Sequence, residues 1–150
     1  MRKLTVVLVS IVAAGVSLSA RVSEYRDALG LYDKGMFSRS RAMFDKIEEE
    51  TQKKADPAGY SLLCDIRSAV PGYVGRMESF LAEYPYSVLI PQIRFYHDLN
   101  LFDAQDYKAA SEQMSLGKES SLHREQRMEF VFKSAYCDLE NGNIHSALDG

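Results

Sequence analysis

The chain has 150 residues, 46% of them apolar, with 18 Lys and Arg against 21 Asp and Glu. Length and apolar content suffice for one domain or a short repeat array and argue against wholesale disorder. The net charge of -3 argues against nucleic acid as a partner, and two distant cysteines exclude a disulfide scaffold and a multi-cysteine zinc site.

Arg2 and Lys3 precede the uncharged run Leu4–Leu18, 15 residues long. A spanning helix needs roughly 20 apolar residues, whereas a secretory segment needs about 7–15 between a positive start and small residues. Ser17-Leu18-Ser19-Ala20 supplies the small residues, and cleavage after Ser19 places Ser17 at the favoured third position upstream. Residues 1–20 therefore read as a signal peptide, with an uncleaved N-terminal anchor as the alternative. No cysteine follows the run, so a lipoprotein site is absent. The expected location is the periplasm or outer envelope of a bacterium, with membrane contact only peripheral or through a partner.

From Val22 onward apolar residues recur at helical spacing rather than in strand alternation. One pattern at i, i+3, i+4 and i+7 occurs four times. It comprises Tyr25, Ala28, Leu29 and Tyr32; Leu62, Asp65, Ile66 and Ala69; Phe95, Asp98, Leu99 and Phe102; and Phe132, Ala135, Tyr136 and Leu139. The first members are 37, 33 and 37 residues apart.

Each copy is followed by a break: Lys34-Gly35-Met36, Pro71-Gly72-Tyr73, Ala104-Gln105-Asp106 and Asn141-Gly142-Asn143. Glycine at the central position of three of the four suits a helix that ends in a left-handed residue. A second apolar stripe starts at Phe37, Val74, Tyr107 and Ile144, followed by Ser40, Met77, Ala110 and Ala147 and then by Phe44, Leu81 and Met114. Two helices per unit of about 34 residues are the arithmetic of a helical solenoid, in which each hairpin covers apolar surface of its neighbour. Short breaks make the paired helices antiparallel. Pro57, Pro85 and the stretch Ser115–Ser121 punctuate the connectors, and Ser87 is the expected cap of the fifth helix, with Pro91 near its opening turn.

These units resemble tetratricopeptide (TPR) repeats over residues 22–150. The resemblance rests on Phe80-Leu81-Ala82-Glu83-Tyr84-Pro85-Tyr86-Ser87, on Phe102-Asp103-Ala104-Gln105-Asp106-Tyr107-Lys108-Ala109-Ala110, and on Leu31-Tyr32-Asp33-Lys34-Gly35-Met36-Phe37. It is similar to the variant repeats of bacterial outer-membrane assembly lipoproteins and periplasmic cell-division coordinators. The sequence departs from the family in lacking its early Trp, in a stripe set about one residue later, and in placing Asp65 and Asp98 where small residues belong. The resemblance implies an all-α, right-handed superhelix of about four helix pairs, approximately 22–54, 57–85, 87–117 and 122–150. The last pair is incomplete, so the chain reads as the front of a longer protein or a fragment.

His97, Asp98 and His123 lack the second carboxylate that a metal or acid–base site needs, and His145 sits beside a turn; structural or solvated roles are expected for all four. Cys64 and Cys137 lie on first helices two units apart, beyond the roughly 7 Å reach of a disulfide, and read as small buried hydrophobes. The aromatic stripe of Tyr25, Tyr32, Phe95, Phe102, Phe132 and Tyr136 reads as core. Residues one step round the helices, Arg26, Tyr96, Asn100 and Lys133, are candidates for an exposed partner-binding surface. Asp33, Asp103 and Glu140 recur just after the last stripe position and would form an acidic row, or else be solvated helix ends.

No phosphate loop, GxSxG or HExxH is present in the sequence, and no catalytic residue, metal or cofactor is expected. The expected function is a non-enzymatic interaction or scaffold module of the cell envelope that binds a peptide or partner protein on a concave face. The alternatives are the sensory front of a longer membrane-associated signalling protein and a glycan-binding envelope protein.

Overall fold

A computed structural model describes residues 21–51, 54–117 and 119–143. The signal-peptide segment 1–20 and the second stripe of the fourth copy, from Ile144 on, with His145 and Ala147, lie outside them. Seven α-helices and a short 3-10 turn occur among the described residues, with no strand. They are α1 (21–33), α2 (Phe37–Glu50), α3 (Ala55–Arg67), α4 (Tyr73–Glu83), α5 (Ile90–Asp103), α6 (Tyr107–Leu116), the turn Glu119–Ser121 and α7 (Arg124–Glu140). The chain divides into two compact units, Met1–Cys64 and Asp65–Gly150, with the boundary inside α3.

In the first unit α1 and α2 form a hairpin. Ala28 and Ser40 are both fully buried, and Ser40 Oγ donates to the Ala28 carbonyl at 2.9 Å. The hairpin's apolar face closes around Tyr60 of α3. Its ring stacks on Phe44 at 5.1 Å and meets Tyr32 and Tyr25 edge-on at 5.5 and 6.3 Å. Offset and edge-on contacts of this kind stabilise by about 0.5–1.5 kcal/mol each beyond area burial. Burial, then Tyr60 and Asp56, pushes the Tyr25 hydroxyl up to about 12. Tyr60 belongs to none of the apolar stripes, yet it is the hub of this cluster.

In the second unit α5 and α6 form an equivalent hairpin, and α7 packs on both. Each hairpin position has its counterpart 70 residues on. Ala28 and Asp98 are buried, as are Ser40 and Ala110, and Phe44 and Met114. The pairs Tyr32–Phe37 and Phe102–Tyr107 both meet edge-on, at 5.7 and 5.5 Å. The core of this unit gathers Phe95, Met114, Leu122 and Phe130, flanked by Tyr96 and Leu99.

The breaks repeat in backbone detail. Gly35, Gln105 and Gly142 have φ of 73°, 60° and 77°. At each, its own N–H bonds the carbonyl three residues back and the next N–H bonds the carbonyl four residues before the αL residue, at 2.7–3.0 Å. This is the paired closure that satisfies the last carbonyls of a helix. The second copy closes earlier. Ala69 takes the left-handed conformation (φ 48°); its N–H bonds the Ile66 carbonyl and the Val70 N–H bonds the Asp65 carbonyl. Ala69 therefore lies past the end of α3 and is not the last position of its stripe. Pro71 disfavours helix at Val70, and Gly72 (φ 84°) then leads into α4.

Two further expectations are corrected. The fifth helix begins at Ile90, with Leu89 rather than Ser87 at its cap. Ser87 Oγ instead accepts from the Leu89 N–H at 3.3 Å, and Pro91 falls in the first turn, where no amide donor is needed. On α7 the inward residues are Phe130 and Cys137, whereas Phe132 and Leu139 are 67% and 55% exposed. In α1 and α5 the matching stripe is covered by the second helix of the hairpin; the counterpart for α7 would begin at Ile144, outside the described residues.

Candidate functional site

The residues expected to face a partner fall into two groups. Arg26 and Asp33 on α1, Asp103 at the end of α5 and Glu140 at the end of α7 are exposed. Tyr96, Asn100 and Lys133 are half-buried and tie helices of the second unit together. Asn100 Nδ2 donates to the Ile66 carbonyl at 2.8 Å, which satisfies a carbonyl in the last turn of α3. Tyr96 lies under the Arg67 guanidinium, 4.8 Å from the ring centroid. Lys133 Nζ sits 4.5 Å over the Phe102 ring and reaches Asp103 at 3.3 Å and Glu129 at 3.4 Å. The structure thus joins Lys133 with Asp103, while Arg26 and Asp33 belong to the other unit.

Two carboxyls occupy the small-residue slot of the hairpin, and their surroundings differ. Asp65 is 2% exposed and is paired with the Arg76 guanidinium of α4. Asp98 is also 2% exposed but has no hydrogen-bond or ion-pair partner among the described residues. Burial pushes its carboxyl up to about 7, against a smaller opposing effect of Arg94 one turn earlier. Next to it His97 is buried, with Nδ1 2.9 Å from the Tyr73 hydroxyl. Burial, and then Arg94, lowers the His97 imidazole.

Asp98 lines a cavity of about 220 Å³ bounded by α5, the end of α6, the turn Glu119–Ser121 and α7. Its apolar walls include Ile90, Pro91, Phe95, Leu116, Leu122 and Phe130, and Arg94 contributes the second charged side chain. An apolar pocket with few polar groups, one of them perturbed, has the general form of a small-molecule site. Sequence reasoning met Asp98 as a departure from the repeat pattern and, beside His97 and His123, as a residue with a structural or solvated role; the signal available was an acid at a position where packing demands a small side chain.

A second cavity, of about 310 Å³, lies in the first unit against Val22, Tyr25, Ile47 and Pro57, with Arg21, Glu24, Glu50 and Asp56 around it. Cys64 and Cys137 are both buried, and burial raises the Cys137 thiol, so it is held as the less nucleophilic neutral form. No cluster of three potential metal ligands occurs among the described residues. Comparison with family models, characterised proteins and solved structures finds no match to this chain.

Proposed function

We propose that the chain is a TPR-like array of helical hairpins, exported to the bacterial envelope, that acts as a non-enzymatic scaffold for a peptide or partner protein. The observation that carries this reading is the recurrence of one hairpin: left-handed closures at Gly35, Gln105 and Gly142, and buried pairs at Ala28/Ser40 and Asp98/Ala110. Repeated hairpins of this kind present side chains at fixed intervals on a rigid surface, which suits recognition of an extended segment or a partner helix. Arg26, Asp33, Asp103 and Glu140 are the exposed groups that would make first contact, and Tyr96, Asn100 and Lys133 would hold the second-unit helices that present Asp103 and Glu140. Location in the envelope rests on residues 1–20.

Photo-crosslinking in living cells tests this. A photoreactive residue replacing Arg26, Asp33 or Glu140 in the full chain is expected to give a discrete adduct with the same envelope protein from more than one position. Absence of any adduct from all three, with normal expression and export, contradicts the reading.

A further inference from the structure

The hairpin slot filled by Ala28 in the first unit is filled by Asp98 in the second. A carboxyl there is expensive unless something answers its charge. Asp65, in the same slot of the second copy, is answered by Arg76. For Asp98 no such partner exists among the described residues, and a cavity of about 220 Å³ opens beside it. Arg94 lines that cavity too, and no described residue forms an ion pair with it. Two opposite charges thus line one pocket without bonding each other.

Their spacing has a chemical meaning. Residues four apart on a helix share a face, with Cβ atoms about 5–6 Å apart. A ligand that answers both needs a cationic and an anionic group, as the ammonium and carboxylate of an α-amino acid are. The remaining wall is apolar: Ile90, Phe95, Leu116, Leu122 and Phe130. The volume exceeds the roughly 150 Å³ that accommodates benzene in a protein interior, so the body of the ligand is about the size of a leucine or phenylalanine side chain.

We propose that this pocket of the second unit binds a free α-amino acid with an apolar side chain, its ammonium on Asp98, its carboxylate on Arg94 and its side chain against Phe95, Leu122 and Phe130. The proposal does not depend on the partner-binding role or on the repeat family. It explains why a buried acid sits at the tight point of a hairpin: the ligand's ammonium supplies the charge that the protein leaves out. A peptide N-terminus would leave Arg94 unanswered and a peptide C-terminus would leave Asp98 unanswered, so the free zwitterion fits the pair best.

Isothermal titration of the full chain with L-leucine, L-methionine and L-phenylalanine, beside N-acetyl-L-leucine and L-leucinamide, tests this directly. At least one free amino acid is expected to bind, and each blocked derivative, lacking one charge, is expected to bind about tenfold more weakly or worse. Asp98→Asn and Arg94→Gln, checked for helix content by circular dichroism, should weaken binding by a similar factor. The blocked ligands report on the unaltered protein, so misfolding of either variant leaves the test intact. Failure of all three amino acids to bind, or equal binding of either blocked derivative, overturns the proposal.

Discussion

The Ser40 hydroxyl donates a 2.9 Å hydrogen bond to the Ala28 carbonyl, linking the two helices of the first hairpin at a point where both residues are fully buried. Loss of the hydroxyl in Ser40→Ala removes that bond and is expected to cost about 1 kcal/mol. Ser40→Leu forces a large side chain between the helices and is expected to cost about 1–3 kcal/mol or more. Urea denaturation followed by circular dichroism would rank them; equal effects would mean that the helices are not in close contact at this point.

Gln105 holds the left-handed conformation that glycine holds at the matching breaks. A side chain in that region is strained, whereas glycine is not. Gln105→Gly is therefore expected to stabilise by about 0.5–1 kcal/mol, and Gly35→Ala to destabilise by a similar amount, in thermal unfolding. A destabilising Gln105→Gly would contradict the shared closure.

Adjacent residues His97 and Asp98 give stability opposite dependences on pH. The His97 imidazole is lowered on folding, so its contribution is intact above about pH 6.5 and declines as pH falls below that value. The Asp98 carboxyl is raised to about 7 on folding, so the folded state holds a proton that the unfolded state loses above about pH 4. Stability from this group therefore falls as pH rises from about 4 to about 7 and is flat beyond. The ionisable groups that it faces are Arg94 on its own helix and Cys137 on α7. Asp98→Asn is expected to remove that slope and to stabilise the protein at pH 8 by roughly 1–4 kcal/mol. Denaturation curves at several pH values would show it, and an unchanged slope would contradict it. A variant that gains stability while losing the amino-acid ligand would separate binding from packing.

Phe130 and Phe132 lie two residues apart on α7, at 8% and 67% exposure. Phe130→Ala is expected to cost about 3–5 kcal/mol, whereas Phe132→Ala should fall within about 0.5 kcal/mol of the parent. Reversal of that order in urea denaturation would place the inward face of α7 on its other side.

Much of the helix plan was legible because it is written in local chemistry. Glycine or a turn residue marks each break, and apolar residues at helical spacing mark each helix. The paired positions 28/40 and 98/110 follow from the same counting. Three features escaped it. Tyr60 completes a cluster with Tyr25, Tyr32 and Phe44 through contacts distant in sequence, and a periodic template assigns it no role. Ala69 satisfies the apolar spacing, but Pro71 two residues later ends the helix first. On α7 the template selected the face of Phe132, while the described helices pack against the face of Phe130. The candidate site was least legible, because the pocket at Asp98 draws its walls from three helices and a turn, and only folding brings them together.

The most direct measurement is a crystal structure of the full chain, with the backbone of the hairpin at 21–50 superposed on that at 90–116. Coincidence of the two is predicted, with Ala28 on Asp98, Gly35 on Gln105 and Ser40 on Ala110, and a left-handed backbone at 35, 105 and 142. Hairpins that close at different positions, or cross at unrelated angles, would contradict the repeat on which this account stands.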